Sequence, residues 1–212
     1  MTEHQALSAI VSSVLMQKFS SAVLALCAMT LLPACNLSAA SDDTPEFDPV
    51  MRWDAIPASE AWEAASFAAL DTHAAILPTL VPDDIEAWCP GYPTATEAER
   101  EAFWVGLISA LAQHESTWNP RAVGGDGRWF GLVQISPATA RGYGCEATSG
   151  QALLNGPANL SCAMRIWATT VERDNVVSAG RGGVAADWGP MVQSRKREDM
   201  RAWMQSRAYC QP

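Results

Sequence analysis

The sequence predicts a mainly α-helical domain, α+β only through one small β-hairpin near 123–135, and cross-linked by disulfides. Three observations predict it. A capped, strongly apolar helix pattern starts at Thr96, glycines and aromatics cluster in GGDGRWFG (residues 124–131), and Cys89, Cys145, Cys162 and Cys210 remain once an apolar N-terminal run is set aside as an export signal. With 212 residues, 49% of them hydrophobic and 17% charged, the chain suits one domain with an appendage and has enough apolar surface for a core.

Residues 19–34, FSSAVLALCAMTLLPA, follow Lys18 and have the length of a signal h-region, short of the roughly 20 residues a membrane span needs. The stretch before them carries Glu3 and no cation until Lys18, so Met16 is a better start of a signal than Met1. The run ends in Leu32-Pro33-Ala34-Cys35, which resembles the lipobox of bacterial lipoproteins. That resemblance implies a lipidated Cys35 and a membrane anchor. Asn36, in place of an inner-membrane-retaining aspartate, implies a periplasmic protein held at the outer membrane of a Gram-negative bacterium. An ordinary secretory signal is the alternative.

Export makes the compartment oxidising and the four remaining cysteines candidate disulfides. Three pairings are open. Cys145–Cys162 with Cys89–Cys210 is favoured, because the first closes a short loop and the second ties the terminus to the start of the domain. No CxxC spacing supports a zinc site.

Residues 36–57, polar and proline-containing, read as a tether. Residues 58–77 read as a helix, and four prolines break 78–95 into loop with a short turn at 83–88. The domain proper spans 96–212. Thr96 and Glu99 form a T-x-x-E capping box; Phe103, Leu107 and Leu111 then share a stripe flanked by Trp104 and Ile108. Four residues past Leu111 the stripe reaches Glu115, and Asn119-Pro120 ends the helix. Ser136-Pro137 fits a second helix start, with serine as N-cap and proline in the first turn.

Glu115 is therefore directed inward, where burial raises a carboxyl's pKa and preserves a proton near neutrality. A poised proton donor is what glycosidic cleavage requires of an acid. The competing role is structural, a cap or an ion pair with a residue such as Arg121.

The residues that follow carry a resemblance. Glu115-Ser116-Thr117-Trp118-Asn119-Pro120, then Gly131-Leu132-Val133-Gln134-Ile135-Ser136-Pro137-Ala138-Thr139-Ala140, match in order the E-S-x-x-N-P and G-L-x-Q-x-x-P-x-T-A motifs of the lytic transglycosylases. The chain is thus similar to that branch of the lysozyme-like superfamily over about residues 97–205, with Asn159-Leu160 as a weaker match. The resemblance implies a lysozyme-like fold, peptidoglycan glycan strands as substrate, and Glu115 as the catalytic acid. It implies that Ser116 and Gln134 bind near the acid or the sugar. The family's late Ala-Tyr-Asn motif has no tyrosine counterpart in Gly180–Pro190; Trp188 lining the cleft, or Tyr143 from another loop, stands in its place. Asp126 is the candidate second carboxylate, although aspartate in a glycine-rich turn commonly serves backbone conformation. The product implied is a 1,6-anhydro sugar; the alternatives are a water-adding muramidase of the goose-lysozyme kind and a non-catalytic glycan-binding lipoprotein.

Other chemistries are not supported. His114-Glu115-Ser116-Thr117-Trp118 is not an H-E-x-x-H metal helix, and no Gly-Lys-Ser/Thr follows the glycines, so neither metal nor cofactor is expected. A net charge of −9 argues against nucleic-acid binding. The charge is uneven: residues 36–115 hold 2 Arg/Lys against 15 Asp/Glu, and residues 116–212 hold 11 against 7. Of the nine tryptophans, Trp118, Trp129 and Trp188 lie near the motifs with Phe130, and core packing is the ordinary role for each. An envelope-machinery partner is left open.

Overall fold

A computed structural model describes residues 47–212; the signal, the lipobox-like end with Cys35 and the first part of the tether lie outside the described residues. Helices α1 (Ser59–Leu70), α2 (Glu97–Ser116), α3 (Pro137–Gly142), α4 (Gly150–Leu153), α5 (Gly156–Asp174), α6 (Gly189–Val192) and α7 (Ser194–Gln205) surround a single hydrophobic core. The sheet is one antiparallel hairpin, β1 (Val123–Gly124) with β2 (Trp129–Phe130), pairing Val123 with Phe130 and Gly124 with Trp129. This is the α-rich, disulfide-linked architecture the sequence predicts.

Helix α2 is the axis of the fold. Its capping box forms as expected: the Glu99 amide donates to Thr96 Oγ1, and the Thr96 amide donates to the Glu99 carboxylate at 2.8 Å. Beyond the first turn, every residue from Ala102 to Ala112 is buried. The sequence pattern suggested an apolar stripe; the helix is instead enclosed on all sides, with α7, α1 and the 3₁₀ turns at 77–79, 92–94 and 208–210 packed around it. A helix apolar all round belongs inside a core rather than on its surface.

Two expectations need correction. Residues 51–57 are not tether: Met51 and Trp53 are 2% and 0% exposed. The Arg52 amide donates to the buried Ser109 hydroxyl on α2, so this segment is strapped to the core by a backbone hydrogen bond. The helix expected over 58–77 ends at Leu70. There the Thr72 hydroxyl turns back to the Ala68 carbonyl, and the turn delivers Ala74 and Leu77, both fully buried, to the core.

Both favoured disulfides form. Cys89–Cys210 joins residues 121 apart, and Cys145–Cys162 joins residues 17 apart. The longer closure restricts the unfolded chain more, by roughly 1 to 2 kcal/mol on a chain-entropy account. Replacing Cys89 and Cys210 with alanine is expected to lower Tm by roughly 10 °C, and by more than the Cys145/Cys162 double replacement, in calorimetry of the oxidised protein.

Candidate active site

Where α2 leaves the core, a groove of about 510 Å³ opens, lined by Glu115, Gly124 at the end of β1, Gly125 in the hairpin turn, Trp129, Gln134, and a far wall of Asp187–Pro190, Gln193 and Lys196. The last turn of α2 is anchored from several sides. The Ser116 hydroxyl lies 2.8 Å from the Leu132 carbonyl, tying the helix end to the loop that follows the hairpin. The Trp118 indole folds back to donate to the Ser109 carbonyl at 2.9 Å, and the His114 ring meets Asp199 on α7 at 2.8 Å. Thr117 and Trp118 both take left-handed backbone (φ 53° and 57°), a turn that the Trp118 anchor holds in place.

Glu115 is half-buried at the groove floor. Burial pushes its pKa up to about 7, with the Lys196 ammonium pulling the other way. Among the described residues no side chain hydrogen-bonds its carboxyl, and Arg121 makes no ion pair with it. The structural alternative of cap or salt bridge is therefore not realised, and the carboxyl is left facing the groove.

The opposite lip is built by the loop 131–136. Gly131 has φ +83°, and a side chain there would strike Asn159 and the Leu153 carbonyl. Buried Asn159 on α5 then serves the loop backbone twice, accepting from the Val133 amide and donating to the Phe130 carbonyl, both at 2.9 Å. Gln134, in left-handed backbone with φ 53°, donates to the Gly131 carbonyl at 2.8 Å and the Ala122 carbonyl at 3.2 Å. Those two bonds fix the carboxamide so closely over Gly124 that a Cβ there would collide with its oxygen.

The remaining candidates fall in different places. Trp188 does line the groove but is 4% exposed, and its indole donates to the Val133 carbonyl at 2.8 Å, so it braces the lip. Tyr143 does not reach Glu115; its hydroxyl donates to Asp187 at 3.0 Å, and burial together with that carboxylate raises its pKa. Asp126 is exposed at the hairpin tip with φ 56°, outside the groove lining, in the turn geometry expected of it. Ser116 is spent on the helix end. Asp187, Gln193 and Lys196 line the groove without a role read from sequence, and Trp129, for which core packing was the ordinary expectation, is not in the core. Trp129 is 43% exposed on the hairpin side, with Arg128 stacked on it at 5.0 Å, and offers a flat aromatic face to a ligand.

The family profile of the transglycosylase SLT domain matches residues 93–177. Over that stretch the match and the fold support an SLT-type, lysozyme-like domain. Solved structures agree: two Glu→Gln mutants of Bd0314 DslA and its wild-type form 2 superpose with TM-scores of 0.70, 0.69 and 0.66, each at 25% identity over 76% of this chain and 98% of that one. No curated protein sequence matches. The SLT domain is lysozyme-like and its enzymatic class is that of the lytic transglycosylases, which cleave the glycan strands of peptidoglycan. The profile match ends before the far wall of the groove, short of the span to about 205 read from the motifs.

The sign of the Glu115 shift makes a stability prediction. Its folded pKa lies above the unfolded value, so the stability contributed by its protonated form is present below about 4.5 and lost as pH rises through about 7. Glu115→Gln is expected to stabilise the domain by about 1–3 kcal/mol at pH 8, with the gain vanishing below pH 4.5, in denaturant titrations at both pH values.

Proposed function

We propose that the groove of this SLT domain cleaves the bond after N-acetylmuramic acid without consuming water, leaving a 1,6-anhydro end. The observation that carries this reading is the state of Glu115: a groove-facing carboxyl kept protonated to about pH 7 by desolvation, with no protein acceptor holding its proton. Glu115 gives that proton to the glycosidic oxygen as the bond to the anomeric carbon breaks. The substrate's own acetamido oxygen supports the positive charge that develops at that carbon. Glu115, now a carboxylate, takes the proton from the sugar's 6-hydroxyl as that oxygen closes on the anomeric carbon. The acid is regenerated, and the atoms balance without water. Gln134 and Trp129 are placed to hold the sugar beside it.

Hydrolysis by the same groove is a second reading, and one observation favours it. Asp187 brings a second carboxylate into the groove, steadied by Tyr143. Asp187 would then serve as the base for water. Mass spectrometry of digested peptidoglycan separates the readings: anhydro ends, lighter by one water than reducing ends, are expected, and reducing ends alone would establish hydrolysis.

Glu115→Gln is expected to lower kcat on the order of 10³-fold, and the wild-type kcat/KM to fall above about pH 7 as the acid loses its proton. We also propose that Cys35 carries lipid and holds the enzyme at a membrane in the periplasm. Cys35→Ala is expected to move the protein from the membrane fraction to the soluble one.

A further inference from the structure

We propose that Lys196 binds a carboxylate of the glycan substrate, so that the groove prefers muramyl strands to uncharged chito-oligosaccharides. The inference deepens the reading above and rests on it for the identity of the polymer. Lys196 lines the groove that Glu115 floors. Asp199 pairs with Arg52 at 2.7 Å and with His114 at 2.8 Å, Arg197 and Arg201 pair with Glu198 at 3.3 and 3.2 Å, and Arg195 is exposed outside the groove lining, so Lys196 is the α7 cation that the groove holds. Among the described residues no carboxylate lies within ion-pair distance of Lys196. Its one hydrogen bond among the described residues is a long 3.5 Å approach to the His114 carbonyl.

The groups around it do not supply its counter-charge. Glu115 makes no ion-pair contact with it, and burial, which pushes the Glu115 pKa up to about 7, disfavours the charged form that would pair with the ammonium. Asp187 is the other groove carboxylate, and the Tyr143 hydroxyl occupies it. Helix stability does not explain the placement either. The first turn of α7 holds Arg195, Lys196 and Arg197 and no acid, the reverse of what a helix start favours. An ammonium beside the catalytic acid, without a protein anion, is matched by an anion on the ligand.

In a peptidoglycan strand the acidic substituent next to the cleaved bond hangs on the lactyl ether of muramic acid. It is the lactyl carboxylate itself on peptide-free strands, or the carboxylates of the stem peptide where that group is amide-linked. The chemistry is shared: one carboxylate beside the reacting sugar. A chito-oligosaccharide has the same backbone and no such group. Lys196 also lies beyond the stretch matched by the SLT profile, so this preference belongs to the far wall.

The test is calorimetric titration of the full chain in a Glu115→Gln background, which retains ligand. The three ligands are a chito-oligosaccharide, a peptide-free GlcNAc–MurNAc oligomer and its peptide-bearing counterpart. Lys196→Gln is expected to lower the ratio of muramyl to chito-oligosaccharide affinity three- to tenfold, the effect shrinking with salt, and Lys196→Arg to restore it. The ratio does not depend on the fraction of protein folded. A loss on the peptide-free oligomer assigns the lactyl carboxylate; a loss confined to the peptide-bearing one assigns the stem. An unchanged ratio overturns the proposal even where wild-type protein cleaves cell wall. Absence of binding to either muramyl ligand overturns it together with the functional reading.

Discussion

The burial of α2 over nearly its whole length governs the chemistry at its end. A helix enclosed by core cannot shift its last turn independently, so the carboxyl of Glu115 stays where solvent is scarce. Desolvation disfavours its charged form. The helix C-terminus, the negative end of the backbone dipole, acts in the same direction. The surrounding bonds from Ser116, Trp118 and His114 convert a frayed helix end into a fixed one. Without them the carboxyl would reach water, and its proton would be gone at neutral pH.

The lip facing Glu115 is made differently. It has almost no regular structure of its own: a two-residue hairpin, then a loop that needs left-handed backbone at Gly131 and Gln134. A loop that short of ladder hydrogen bonds leaves its amides and carbonyls to be satisfied by side chains. Asn159, Ser116 and Trp188 do this from segments distant in sequence, and Gln134's own bonds to the Gly131 and Ala122 carbonyls fix it against Gly124. Polar residues that a motif would mark as substrate contacts thus act mainly by holding the backbone still.

This division explains what the sequence made legible. Local rules reached the Thr96 capping box, the Ser136-Pro137 helix start, the inward direction of Glu115 and the hairpin, because each depends on neighbours within a few residues. The cysteine pairing followed from loop lengths. Tertiary docking decided the rest. Met51 and Trp53 look like tether until the Ser109 hydroxyl on α2 captures the backbone between them. Trp188 reads as a cleft aromatic until its indole finds Val133. Asp187 and Lys196 sit more than 70 positions beyond Glu115, in segments whose spacing carries no signal, and only the packing of α6 and α7 against α2 brings them to the groove.

The two influences on Glu115 are matched to a reaction that uses one group twice. A carboxyl that only gave its proton away would work best with the lowest pKa that still left it protonated. One that only took a proton would work best with a higher one. In the proposed cycle the same oxygen pair does both within one turnover, so efficiency at each step peaks for a pKa near the working pH. Desolvation raises the pKa and the ammonium of Lys196 limits the rise, leaving the acid at about 7. A ligand carboxylate that pairs with Lys196 weakens that restraint when the groove is filled. The proton is then held more firmly in the bound enzyme than in the empty one, until the glycosidic oxygen begins to take it.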